Sequence, residues 1–159
     1  MDIRPAVDDD DAIWAILEPI LRAGEAYALP RDWSRHEALA FWRTPGHAVF
    51  VVQEAAEILG TYYLRPNHKG GGAHVANCGY ATHPRARGRG VARAMCGHSL
   101  EQARRAGFTA MQFNFVVATN DPAVALWTKL GFEVVGRLPR AFRHPERGLV
   151  DALVMHRAL

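Results

Sequence analysis

The sequence predicts a mixed α/β fold of seven strands and four helices, carried by one domain over residues 1–159. Three observations predict it. Strand-like and helix-like apolar periods alternate along the chain and do not segregate into blocks. Ala48 to Glu54 and Ile58 to Leu64, joined by a short acidic turn, carry the signature of a hairpin. The stretch Tyr80 to Arg93, YATHPRARGRGVAR, joins a strand-like run to a glycine-rich turn and then to a long helical pattern.

Taken in order, Met1 to Ala6 reads as a short first strand. Asp8 to Asp11 supply N-cap and dipole-favoured acids for an amphipathic helix over Asp10 to Ala23. Its apolar face holds Ile13, Ile16, Leu17, Ile20 and Leu21, and Gly24 stops it. Pro19 lacks an amide proton inside that pattern, which predicts a kink or a split. Tyr27 to Trp33 is a loop, and Ser34 caps a second helix whose apolar face includes Ala38, Leu39, Phe41 and Trp42. After the hairpin comes the loop Arg65 to Gly72, whose glycine run predicts mobility because glycine loses the most backbone freedom on ordering. Ala73 to Thr82 is the fourth strand, and Val91 to Arg105 the third helix. Thr109 to Ala118 follows as a strand, Asp121 to Leu130 as a helix and Phe132 to Arg137 as a strand. A loop with Pro139 and Pro145 then leads to a last strand from Leu149 to His156.

Composition narrows the function classes. A chain of 159 residues with 49% hydrophobic content is ample for one packed core. No apolar run reaches the length of a membrane span, and the acidic start MDIRPAVDDDD lacks the apolar stretch of a signal peptide, so a cytoplasmic location is expected. Cys78 and Cys96 are expected to be buried free thiols, and the eight scattered histidines offer no metal-binding spacing. The net charge of +3 concentrates in the glycine-rich turn, at Arg104 and Arg105, and from Arg137 to Arg147. No basic stripe interleaves with exposed aromatics, so a phosphate-bearing ligand is expected and nucleic acid is not.

The glycine-rich turn fits such a ligand. Gly88 and Gly90 sit where the first amides of the third helix have no internal partner, and a phosphate can approach them closely. Arg85, Arg87 and Arg89 add forked donors. The nucleotide alternatives fail: no Gly-Lys-Ser/Thr is present, and Arg93 stands where a dinucleotide turn needs its third glycine.

The pattern Arg87-x-x-Gly90-x-Ala92, after a strand ending Thr82-His83-Pro84, resembles the acetyl-CoA motif of the GNAT acetyltransferase superfamily. Asn120 to Phe132, NDPAVALWTKLGF, resembles the family's second motif, and the element order is similar over the whole chain. The resemblance implies a twisted mixed sheet whose fourth and fifth strands splay apart. It also implies acetyl-CoA as co-substrate, held by Tyr80, Thr82, Arg87, Gly88, Arg89, Gly90, Val91, Ala92 and Asn120. Asn120 either only caps its helix or also touches the cofactor. Where many members carry a proton-donating Tyr this chain has Trp127, whose indole cannot act as that acid, so Trp127 is expected to pack beside the cofactor. Family habit further admits a homodimer through the late strands and Arg140 to Arg147.

Two asparagines inside strands stand out. Asn77 shares a face with Val75, Gly79 and Ala81, small residues that let a ligand approach the backbone. On the fifth strand Met111, Phe113, Phe115 and Val117 form a core face, and Ala110, Gln112, Asn114 and Val116 form the other. Asn77 and Asn114 either bond to each other or to bulge backbone, or grip a small polar acceptor and its oxyanion. The wording HVANCGY, FNFVVATN and LPRAFRHPERGLVDALVM resembles the branch with the yeast proline-analogue (azetidine-2-carboxylate) acetyltransferases, whose strand asparagines hold an amino-acid substrate. His74 is the base candidate carried forward, with His83 and Asp151 beside it, and a water-mediated direct transfer is expected. The implied activity is acetylation of a small-molecule amine, an amino acid or its analogue. A protein or peptide N-acetyltransferase and a non-catalytic acyl-CoA sensor are the rivals.

Overall fold

The computed structural model describes residues 1–159. In chain order it contains β1 (Asp2–Pro5), α1 (Asp10–Ala23), α2 (Arg35–Trp42), β2 (Ala48–Glu54), β3 (Glu57–Pro66), β4 (Val75–Thr82), α3 (Val91–Arg105), β5 (Ala110–Val117), α4 (Asp121–Lys129), β6 (Glu133–His144) and β7 (Gly148–Ala158). The seven strands make one sheet in the order β1-β2-β3-β4-β5-β7-β6. Every neighbouring pair is antiparallel except β4 with β5, which is parallel.

Strand alternation divides the core between the two faces of the sheet. Tyr62, Leu64, Ala76 and Cys78 face α3 and pack on Met95, Cys96, Leu100 and Ala103. Val51, Tyr63 and Ala81 face the other way, onto Ile13, Ile16, Leu17 and Leu21 of α1 and Ala38 and Trp42 of α2. Each fully buried Leu or Ile in these layers contributes about 1.5–3 kcal/mol.

The helix ends show how local chemistry is used. Ser34 and Glu37 form a capping box at α2: the Ser34 hydroxyl accepts from the Glu37 amide at 3.2 Å, and the Glu37 carboxylate accepts from the Ser34 amide at 2.7 Å. At α1 the expected acidic cap does not form. Asp9 occupies the cap position, but its carboxylate takes two bonds from Arg4, at 2.8 and 2.9 Å, and one from the Val7 amide at 3.0 Å. The stronger guanidinium pairing wins over the helix amides. Pro19 lies inside an α1 that remains one helix, so the expected split does not occur. Gly24 ends it at φ +66°, its amide donating to the Ile20 carbonyl.

Two loops add detail to these expectations. The glycine-run loop is fastened at its base: the Asn67 amide donates to the Val75 carbonyl at 2.7 Å, and the Asn67 side chain is buried. The expected loop with Pro139 is instead part of β6, which runs to His144. Register shifts between Val134 and Gly136 and between Leu138 and Phe142 absorb the residue that cannot donate to the ladder. Arg140, at φ +52°, donates its amide to the Asp151 carboxylate there at 2.9 Å.

Candidate active site

β4 and β5 pair only at Val75 with Ala110 and Ala76 with Met111, and beyond that point they part. A bulge in β5 accompanies the parting. Phe113 pairs with Met155 and Val116 with Leu153, so three steps on β5 match two on β7. This shifts the alternation expected from the sequence. Val116 joins Met111 and Phe113 in the core, while Phe115 turns to the opening and Val117 lines it. A cleft of about 1050 Å³ occupies the gap.

The two asparagines stand where the strands separate, and the protein satisfies both. Asn77 Nδ2 donates to the Gln112 carbonyl at 2.9 Å, stitching β4 to β5, and its Oδ1 accepts from Arg65 Nε at 3.1 Å. Asn114 Nδ2 donates to Asn67 Oδ1 at 2.7 Å, and its Oδ1 accepts from Gln112 Nε2 at 3.0 Å. They do not bond to each other. Each primary amide keeps a second N–H, and both residues line the cleft. Gly79 serves a different purpose from the one expected: a Cβ there would lie 2.5 Å from the Tyr63 ring, so protein and not ligand fills that space.

Past Ala76 the β5-facing edge of β4 is open. The Tyr80 carbonyl on that edge accepts from the Tyr27 hydroxyl. Backbone alternation puts the amides of Cys78, Tyr80 and Thr82 on the same edge, facing the gap. The Tyr80 hydroxyl itself points into the core, bonded to Ser99 at 2.7 Å, and burial raises both it and Tyr27 well above the usual phenol range. Cys78 is buried, and desolvation pushes its thiol up to about 12. Such a thiol is not a nucleophile at neutral pH.

At the far end of β4 lies the glycine-rich turn. Gly88 and Gly90 adopt φ +75° and +79°, and a Cβ at either would meet nothing within 4 Å. The positive φ requires glycine, and the open space leaves the backbone approachable. The first α3 bond runs from the Ala94 amide to the Gly90 carbonyl at 3.0 Å. The amides of Gly88, Gly90, Val91, Ala92 and Arg93 have no acceptor in the protein. With the positive end of the helix dipole behind them, these free donors suit an anion.

Of the residues named from the sequence, Asn77, Tyr80, Thr82, Arg87, Gly88, Gly90, Val91, Ala92, Asn114 and Asn120 all line this one cleft. Asn120 also caps α4, its Oδ1 accepting from the Ala123 amide at 3.4 Å. Trp127 is buried against Tyr80 and Phe113, with ring centroids 5.1 and 5.2 Å away. Arg89 does not line the cleft, because its guanidinium pairs with Glu54.

The base candidates fall outside as well. His74 is exposed just before β4, where its carbonyl accepts from the Thr109 amide at 2.9 Å. His83 Nδ1 accepts from the Arg85 amide at 3.1 Å. Asp151 is taken up by the Arg140 amide and by Arg137 at 2.8 Å, bonds that hold its carboxyl below the usual range. None of the three lines the cleft.

Other residues do, unmarked by any motif: Glu25 and Tyr27 from the segment after α1, Tyr63 and Arg65 from β3, and His144, Glu146 and Arg147 from the β6–β7 turn. His144 Nδ1 accepts from the amides of Glu146 and Arg147 at 3.1 and 3.2 Å, which engages that lone pair and leaves Nε2 as the ring atom free to meet a ligand. Glu25 and Glu146, both exposed, are the cleft's carboxylates. The chemistry available is an anion cradle at one end, an open strand edge in the middle, and a polar end with two carboxylates and a half-buried guanidinium.

The sequence profile of the Acetyltransferase (GNAT) family matches residues 11–132. N-acetyltransferase aca1 of Schizosaccharomyces pombe is 33% identical over 151 residues, covering 84% of this chain and 72% of that protein. The structure of a GCN5-related N-acetyltransferase from Kribbella flavida is similar with a TM-score of 0.94 and 43% identity, over 99% of this chain and 97% of that one. A GNAT superfamily phosphinothricin acetyltransferase from Sinorhizobium meliloti, solved in complex with acetyl-CoA, shares the fold at TM-score 0.86 and 22% identity, over 99% of this chain and 88% of the other.

Proposed function

This chain belongs to the acetyltransferase (GNAT) family, and from that premise we propose that it acetylates the amine of a small molecule, an amino acid or amino-acid analogue, by direct transfer. The family's activity is acetyl-CoA-dependent N-acetyl transfer, and the residues present fit that co-substrate. The unpaired amides of Gly88 and of Gly90 to Arg93, with Arg87 beside them, offer the positive charge and donors that a pyrophosphate takes. When bound, acetyl-CoA supplies an acetyl thioester whose thiolate, with a pKa near that of free cysteine, leaves without a dedicated acid. Trp127 in the Tyr position is therefore compatible with turnover.

The observation that carries the reading is the open β4 edge in a walled cleft. In this reading the Cys78 and Tyr80 amides meet the negative charge that develops on the reacting carbonyl, as fixed donors need no reorganisation. Asn77 and Asn114 present their spare N–H groups to the acceptor side and hold β4 and β5 at their separation. The amine proton leaves through water to Glu25 or Glu146. A small acceptor is favoured because Tyr27 bridges from the α1–α2 segment to β4, closing the wall where a protein substrate needs an open groove.

A homodimer goes with this reading. β6 is an outermost strand, and its Val134, Val135 and Leu138 are 49%, 58% and 38% exposed, with Leu149 of the neighbouring β7 at 40%. Sedimentation velocity is expected to give twice the chain mass, and a monomer at micromolar concentration contradicts the dimer. A cytoplasmic location is also part of the proposal; no helix is long and apolar enough to cross a membrane. The test of function is release of free coenzyme A from acetyl-CoA across amino acids, proline-ring analogues, polyamines and short peptides. Turnover confined to amino acids or their analogues is expected, and turnover confined to polyamines or peptides refutes the small amino-acid acceptor.

A further inference from the structure

Four cations line the cleft, and they differ in setting. Arg87, Arg93 and Arg147 are exposed, whereas Arg65 is half-buried. Arg65 has no acidic partner within ion-pair distance, although eight ion pairs occupy other parts of the molecule. Its Nε donates to Asn77 Oδ1 at 3.1 Å and the Tyr63 hydroxyl lies beside the guanidinium, so the fork has neutral oxygen partners and no anion. A partly desolvated guanidinium without a counter-charge is costly unless an anion completes it.

The support under Arg65 is rigid. Arg65 lies directly opposite Asn77 on neighbouring strands. Asn77 cannot flip, because its Nδ2 is committed to the Gln112 carbonyl at 2.9 Å, so Oδ1 must face Arg65. The Tyr63 ring, lying over Gly79, packs on the same sheet face. The fork is thereby held at the place where β4 and β5 part.

That place is remote from the phosphate turn. From Asn77 to Thr82 the strand advances five residues, roughly 17 Å at strand rise, and the turn lies beyond Thr82. The anion that completes Arg65 is therefore a different one from the cofactor's phosphates.

Resting on the small-amine reading above, we infer that Arg65 binds the carboxylate of the acceptor, so the substrate class is an amine whose own skeleton bears a carboxylate. The planar fork matches a carboxylate through two parallel bonds, which a lysine or an amide does not reproduce. Asn77 positions the fork, and Arg65 makes the contact.

The test uses the full chain and three forms of whichever amino acid it acetylates: the free acid, its primary amide and its decarboxylated amine. The wild type is expected to favour the free acid in kcat/KM by on the order of 100-fold over both others. In Arg65→Gln the rate with the free acid falls by about that factor, mainly through KM, while the rate with the amide stays within about threefold. Arg65→Lys restores part of the preference. Acetyl-CoA affinity measured by calorimetry is unchanged in both variants, which separates the effect from misfolding. If Arg65→Gln lowers acid and amide equally, or if the wild type does not distinguish them, Arg65 is not the carboxylate receptor and the small-amine reading still stands. If only amines without a carboxylate are acetylated, the amino-acid acceptor of the proposed function and this inference both fall.

Discussion

Asn77 and Asn114 show how one residue type serves structure and chemistry together. A buried side-chain amide left unpaired costs about 1–3 kcal/mol, and neither is left so. Gln112, Arg65 and Asn67 join them in one polar network that spans β3, β4, β5 and the loop after β3, so the separation of β4 and β5 is itself hydrogen-bonded. Asp9 is a second residue whose partner differs from the one its position suggests. The hydrogen bond from Arg4 holds its carboxyl below the usual range. Because the folded pKa is lowered, the stabilisation is fully present above the unfolded value of about 3.9 and is lost as pH falls through the folded value. Asp9→Asn is accordingly expected to lower the Tm at pH 7 and to show a shallower loss of Tm below pH 4 than the wild type. Parallel Tm-against-pH curves for the two proteins would contradict this role.

Elements carry the next scale. The turn from Gly88 to Gly90 and the N-terminus of α3 act as a unit, because the positive φ of the glycines aims the unpaired amides outward. Gly90→Ala is expected to cost about 1–2 kcal/mol of stability through left-handed strain. It is also expected to raise the KM for acetyl-CoA on the order of tenfold while leaving the acceptor KM unchanged. An unchanged acetyl-CoA KM would remove the turn from the cofactor site. This turn was legible in the sequence, since its chemistry is local: two glycines, adjacent arginines and a following helix. The Ser34 cap was legible for the same reason, and the structure adds Glu37 to it as a capping box. The β5 bulge was not, because it depends on pairing with β7 about forty residues later, and it moved Phe115 out of the face that simple alternation assigned to it. The second half of β6 likewise hid behind Pro139, whose missing donor is absorbed by a register shift that only the partner strand reveals.

On the scale of the whole molecule, the cleft draws on the segment after α1, on β3, β4, β5, α3, α4 and the β6–β7 turn. The cofactor half comes from contiguous motifs, and so it could be read along the chain. The acceptor half joins Glu25, Tyr27, Arg65, Asn114 and Glu146, which no spacing links. That is why the sequence pointed to His74, a strand-edge histidine near the motif, while the carboxylates that line the cleft went unmarked. In the proposed reading, phosphate recognition lies at one end of β4 and acceptor recognition at the other, with the open edge between them. The most direct test compares kcat/KM for a free amino acid with that for a short peptide bearing the same residue at its N-terminus, at saturating acetyl-CoA. A small, walled acceptor site predicts that the free amino acid is favoured by at least on the order of tenfold. A peptide acetylated as well or better would contradict it and make this chain a peptide acetyltransferase.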